Sequence, residues 1–131
     1  MNQEFVYKKV ILVDDDDINN FVNARVLKDF KVSQEVMSFT NGPDCLHYLN
    51  EVTSADSIPD LALIDINMPG MDGFELVEKI KELQKEIQQK MKILMLTSSH
   101  DERDMEKTKK MGITEYIIKP LTDENINKLV S

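Results

Sequence analysis

Residues 10–17 read VILVDDDD, an unbroken apolar run that stops on four carboxylates. A run this short, with no polar interruption, suits a strand covered on both faces, as in a parallel sheet. Four more short runs follow: Val36-Met37-Ser38-Phe39, Leu61-Ala62-Leu63-Ile64, Ile93-Leu94-Met95-Leu96 and Tyr116-Ile117-Ile118. Helical patterns lie between them. Ile18, Phe21, Val22, Val26, Leu27 and Phe30 recur at intervals of three and four, which predicts one apolar stripe over 18–30. Leu46 and Leu49 mark a second helix over 43–52, and Leu76, Val77, Ile80, Leu83 and Ile87 mark a third. A weaker fourth runs over 101–111, with Met105, Thr108 and Met111 facing inward. The fifth, over 122–130, follows a Thr122 cap and carries Ile126, Leu129 and Val130. Strand and helix alternate five times, so the expectation is an α/β domain with five helices on the two faces of a five-stranded parallel sheet.

The chain has 131 residues, the size of one domain, and the stretch after Pro120 is too short for a second. Hydrophobic residues make up 41% and charged residues 31%, which excludes a wholly disordered chain. The net charge of −8 argues against non-specific nucleic-acid binding and against docking on an anionic membrane. No apolar run is long enough to span a bilayer, and the opening MNQEFVYKK is not a hydrophobic signal. A single cysteine, Cys45, can build neither a disulfide framework nor a cysteine metal site. A cytoplasmic setting is expected. The polar stretch 51–59 is expected to be a loop and the most mobile segment.

The residues that close the runs carry the chemistry. The first run ends at Asp14-Asp15-Asp16-Asp17, the third at Asp65, the fourth at Thr97-Ser98-Ser99 and the fifth at Lys119-Pro120. A parallel sheet puts all these ends at one edge, where ligands bind. If the first and third strands are neighbours, Asp14, Asp15 and Asp65 lie within one strand spacing, ~4.8 Å. Two carboxylates ~4 Å apart repel by about 4 kcal/mol at an effective dielectric of 20, so the cluster either holds a proton or recruits a cation. A hard divalent ion with oxygen ligands, Mg²⁺, fits. Lys119 stands two spacings, or ~10 Å, from Asp65, a gap that a lysine side chain can largely cross. Such a site suits phosphate on a carboxylate, a reaction that needs mainly positioning and charge stabilisation. Asp16 or Asp17 is expected to cap the following helix.

Read in order, ILVDDDDIN, NGPDCLHYL, DLALIDINMPGMDGFEL, ILMLTSS and GITEYIIKPL resemble the receiver domain of two-component response regulators. The likeness covers a core of about 8–130, almost the whole chain. It implies a flavodoxin-like, doubly wound sheet in strand order 2-1-3-4-5 and a stand-alone, single-domain regulator. It implies that Asp65 is the phosphoacceptor, with Thr97 and Lys119 assisting. Asp14, Asp15, Asp65 and the Asn67 backbone carbonyl would hold Mg²⁺, and Thr97 with Tyr116 would form the switch. The Lys119-Pro120 bond would be cis. The donor would be a histidine kinase or a histidine phosphotransfer protein. The downstream target would dock on the fourth helix, fifth strand and fifth helix. Slow loss of its own phosphate is expected, but no turnover of a separate substrate.

Each residue also has a plainer reading. Asp65 could open the Asn67-Met68-Pro69-Gly70 turn, in which Gly70 and Gly73 are structural either way, and Thr97 could cap a helix. Lys119 could be a solvated lysine, and Tyr116 a half-buried strand tyrosine. His47 and His100 are isolated and read as surface residues, and Cys45 reads as packing. Most methionines read as core filler, while Met68 and Met71, beside the site, are expected to be exposed. Lys107, Lys109 and Lys110 form a basic patch that is either solvated or a partner surface. Two other functions compete with the receiver reading. An aspartate-nucleophile phosphohydrolase would need a second aspartate where Asn67 stands. A phosphorylation-independent interaction module would be expected to have lost one of the acids or the lysine.

Overall fold

The structure is a computed structural model that describes residues 4–52 and 54–130. Each apolar run forms a strand: β1 Tyr7–Val13, β2 Ser33–Phe39, β3 Leu61–Ile64, β4 Lys92–Thr97 and β5 Tyr116–Ile118. They pair in parallel in the order β2-β1-β3-β4-β5. The helices are α1 Asp17–Asp29, α2 Gly42–Asn50, α3 Gly73–Ile80, α4 Lys85–Lys90, α5 Glu102–Lys110 and α6 Asn127–Val130. The expected doubly wound, flavodoxin-like sheet is present.

Strand parity sorts the core into two halves. Ile11, Val13, Ala62, Ile64 and Met95 point to one face, where Cys45 and Leu49 of α2, Phe74, Leu76, Val77 and Ile80 of α3, and Ile87 of α4 cover them. Val10, Leu12, Leu61, Leu63, Leu94, Leu96 and Ile117 point to the other, under Leu27 of α1 and Ile126 and Leu129 near α6. Burial on both faces explains why the central runs carry no polar residue. Each fully buried Leu or Ile contributes about 1.5–3 kcal/mol relative to exposure.

Four expectations need correction, the last of them the length of the final helix. The third helical pattern breaks after Ile80 and restarts at Lys85, giving six helices rather than five. Leu83 donates its backbone N–H to the Ile80 carbonyl, which also accepts from the Gln88 side-chain amide, so the chain bends there. The bend lets Leu83 and Ile87 reach the same core half. The predicted α1 stripe is the second correction. Ile18, Phe21, Val22 and Phe30 are exposed, and the buried residues are Asn20, Asn23 and Leu27. The inner face follows 20–23–27, also a three-and-four spacing, because it meets the polar end of β1 as well as the core. Third, Met68 is buried rather than exposed, and Met71 packs its side chain over Gly42.

The last helix is shorter than expected and starts at Asn127. Thr122 and Asn125 bond each other's backbone N–H just before it. In the 51–59 loop, where residue 53 lies outside the described residues, Ala55–Ser57 form a 3-10 turn. His47 and His100 are exposed, and Cys45 is fully buried on α2.

Candidate functional site

The C-terminal ends of β1, β3, β4 and β5 share one edge, and the predicted residues meet there. Asp14 follows β1, with its backbone N–H bonded to the Phe39 carbonyl of β2 at 3.0 Å. Asp65 follows β3, tied to β1 through the Val13 carbonyl at 2.9 Å. Lys119 follows β5, tied to β4 through the Thr97 carbonyl at 2.9 Å. The Lys119-Pro120 peptide is cis.

Asp14 and Asp65 are buried and Asp15 is exposed, so the cluster forms the floor and lip of one pocket. The three offer carboxylate oxygens within 4.8 Å of one another. At that separation each pair of charges repels by about 3 kcal/mol at an effective dielectric of 20. Lys119 relieves part of this. Its ammonium lies 3.1 Å from Asp65 Oδ2 and also bonds Asp14 Oδ2. Burial alone would lower the Lys119 pKa. The Asp14 hydrogen bond and the two negative charges outweigh it and hold the pKa above its ordinary value. A lone cation shared by acids on neighbouring strands leaves oxygen donors to spare. The set is all-oxygen and anionic, as a hard divalent ion such as Mg²⁺ requires.

The four consecutive aspartates divide their work. The Asp14 Oδ1 accepts from the Asp16 N–H at 2.9 Å. Asp16 is the N-cap of α1, accepting from the backbone of Ile18 and Asn19, and Asp17 sits in the first turn. Asn67 is exposed beside Asp65, and its N–H reaches Asp65 Oδ1 at 3.3 Å. Gly73, the first residue of α3, lets that helix press on the acid. A Cβ there would stand 2.4 Å from the Asp65 carbonyl oxygen and 2.8 Å from the Ile66 Cα.

Thr97 is fully buried at the end of β4, and its Oγ1 accepts from the Ser99 N–H at 3.3 Å. Tyr116 on β5 is half-buried and donates its hydroxyl to the Ser99 carbonyl at 3.0 Å. Burial raises the Tyr116 pKa, with the Ser99 hydrogen bond opposing. Ser99 is therefore the physical link between Thr97 and Tyr116. It is held in turn by Asp104 of α5, to which its hydroxyl donates at 2.7 Å, and by the Asp101 N–H. Sequence reading missed Ser99 because its role runs through backbone atoms that any residue carries. It also missed Asn20, which bonds the Asp14 carbonyl. The spacing 20–23–27 was the available signal.

A family model for the response regulator receiver domain matches residues 10–131. The chain is similar to the chemotaxis protein CheY of Halobacterium salinarum, 31% identical over 95% of this chain and 94% of that protein. It is 33% identical to a segment of the hybrid signal transduction histidine kinase L of Dictyostelium discoideum, over 93% of this chain but only 7% of that much longer protein. Among solved structures, a two component response regulator from Cytophaga hutchinsonii superposes with a TM-score of 0.86 at 35% identity, covering 97% of this chain and 95% of that one. Among the described residues no helix is long and apolar enough to cross a membrane.

Proposed function

The chain belongs to the response regulator receiver domain family, and from that premise we propose that Asp65 accepts a phosphoryl group from the phosphohistidine of a kinase or phosphotransfer protein. An Asp65 oxygen attacks phosphorus in line. The oxygen–phosphorus bond forms as the phosphorus–nitrogen bond to the donor's imidazole breaks, and the departing nitrogen keeps the electron pair. Asp14, Asp15, Asp65 and the Asn67 backbone carbonyl would hold Mg²⁺. Bound there, the ion neutralises charge on the phosphoryl oxygens. Lys119 and Thr97 serve the remaining oxygens, which lets a buried carboxylate receive a dianionic group. The role is that of a switch rather than an enzyme with separate turnover, though slow self-dephosphorylation is expected.

The output runs through the Thr97–Ser99–Tyr116 connection. A phosphate that draws Thr97 inward takes its Oγ1 from the Ser99 N–H, frees Ser99 and Tyr116 to shift, and so biases α5, β5 and α6, the face read as the target surface. Differential contact of this kind is what any population shift requires. On the donor side, the exposed Ile18, Phe21 and Val22 of α1 flank the pocket and form the surface such a protein would cover.

The observation that carries this reading is the Lys119 ammonium bonded to both Asp14 and Asp65 beneath an exposed Asp15. Acetyl phosphate with Mg²⁺ should add one phosphoryl group, about 80 Da by intact mass. EDTA or Asp65→Asn should abolish the gain. An unmodified wild-type chain, or a labelled Asp65→Asn, would overturn the assignment.

A further inference from the structure

Asn20 is an asparagine buried where an amphipathic helix ordinarily buries an aliphatic residue, with 4% of its surface exposed. Its side-chain amide donates to the Asp14 backbone carbonyl at 2.9 Å and, at longer range, to the Phe39 carbonyl at 3.4 Å. Its Oδ1 is buried with no partner. An unpaired buried carbonyl destabilises a fold, so the residue is not there for packing. The amide instead completes a set of bonds that fixes Asp14 on every side. The Asp14 N–H binds the Phe39 carbonyl, Oδ1 takes the Asp16 N–H, Oδ2 takes Lys119, and the Asp14 carbonyl takes Asn20. The next residue is Asp15, the exposed member of the acid cluster. The orientation of the peptide that Asn20 grips sets where Asp15 begins.

We propose that Asn20 is a positioning residue for the acid pair. It holds the 14–15 peptide so that both carboxylates face Asp65, and it sets cation affinity without touching cation or phosphate. The inference rests on the reading of the pocket as a Mg²⁺ and phosphoacceptor site. Partners that orient ligating groups typically change metal affinity by about 10–100-fold when removed.

The test is isothermal titration of Mg²⁺ into the wild-type chain and the Asn20→Leu and Asn20→Ala variants, each paired with urea unfolding in EDTA. Asn20→Leu removes the amide and the orphan carbonyl together at similar volume. It relieves one orphan carbonyl but strips the Asp14 carbonyl of its donor, so the two effects offset and the urea midpoint should change little while Mg²⁺ binding weakens about tenfold or more. Asn20→Ala should weaken Mg²⁺ similarly, and it decides the matter should the leucine variant fail to fold. Stability and affinity thus move apart, which a merely structural residue would not produce. A folded variant with wild-type Mg²⁺ affinity overturns the inference. A wild-type chain that takes up no Mg²⁺ overturns the underlying reading instead.

Discussion

A lysine shared by two buried carboxylates is stable only while all three groups stay charged. Removing Lys119 leaves Asp14 and Asp65 facing each other without compensation, and breaking such a pair costs about 3 kcal/mol or more. Lys119→Ala should therefore lower the urea stability by about that much in EDTA and by less in millimolar Mg²⁺, where the ion supplies the missing charge. The pH dependence has a definite sign. The Lys119 pKa is higher folded than unfolded. Its stabilisation is complete below the unfolded value of about 10.4 and is lost as pH rises through the folded value. Cys45 acts in the same direction from a lower start, because burial pushes its thiol from 9.0 to about 12. The unfolded thiol ionises first across that window, removing at most about 4 kcal/mol by its upper end. The urea midpoint should fall above pH ~9, and Cys45→Ala should delay that fall until Lys119 begins to titrate. A disulfide reagent at pH 8 should modify Cys45 far more slowly in the folded chain than in urea, because the thiol is both fully buried and held in its protonated form.

At the scale of elements, backbone contacts matter as much as side chains. Gly73→Ala drives a Cβ into the Asp65 carbonyl and the Ile66 Cα, neither of which can step aside. The expected result is a loss of about 1–3 kcal/mol in urea unfolding, with slower acetyl phosphate labelling as Asp65 is displaced. Gly42→Ala meets only the flexible Met71 side chain and should do less on both counts. The acid site itself was legible in the sequence. Asp14, Asp15, Asp65, Thr97 and Lys119 each close an apolar run, and parallel topology brings such ends to one edge. Two features were not. Residues 81–84 read KELQ, good helix formers without Gly or Pro, so nothing local marks the break between α3 and α4. Packing of Leu83 and Ile87 against the shared core made it. In α1 two stripes share the same period, one apolar and one holding Asn20, Asn23 and Leu27. Hydrophobicity favours the first as the inner face. The structure buries the second, because the β1 end presents a carbonyl that only a donor can satisfy.

Viewed whole, the molecule turns a large apolar surface to solvent beside its most charged pocket. Ile18 is 73% exposed, Phe21 70% and Val22 47%, and all three lie within two turns of Asp16, the N-cap that follows the acid pair. Single exposed apolar residues need no explanation, but three on one helix next to a reactive carboxylate define a face. A small phosphodonor such as acetyl phosphate needs only the pocket, whereas a protein donor must also rest on the rim. The two donors therefore separate chemistry from docking. Phe21→Asp places a charge at the centre of the face and removes no buried contact, so its urea stability should stay within about 0.5 kcal/mol of wild type. Labelling by acetyl phosphate should be unchanged, because none of the pocket's bonds involves Phe21. Transfer from a phosphorylated histidine phosphotransfer protein should slow by about tenfold or more, the usual effect of losing a central aromatic anchor. Tyr116→Ala should do the reverse, leaving transfer rates intact while uncoupling target binding, since its hydroxyl reports on Ser99 and Thr97 rather than on the α1 rim. Equal transfer rates for Phe21→Asp and wild type would overturn the assignment of the α1 face as the donor's footprint.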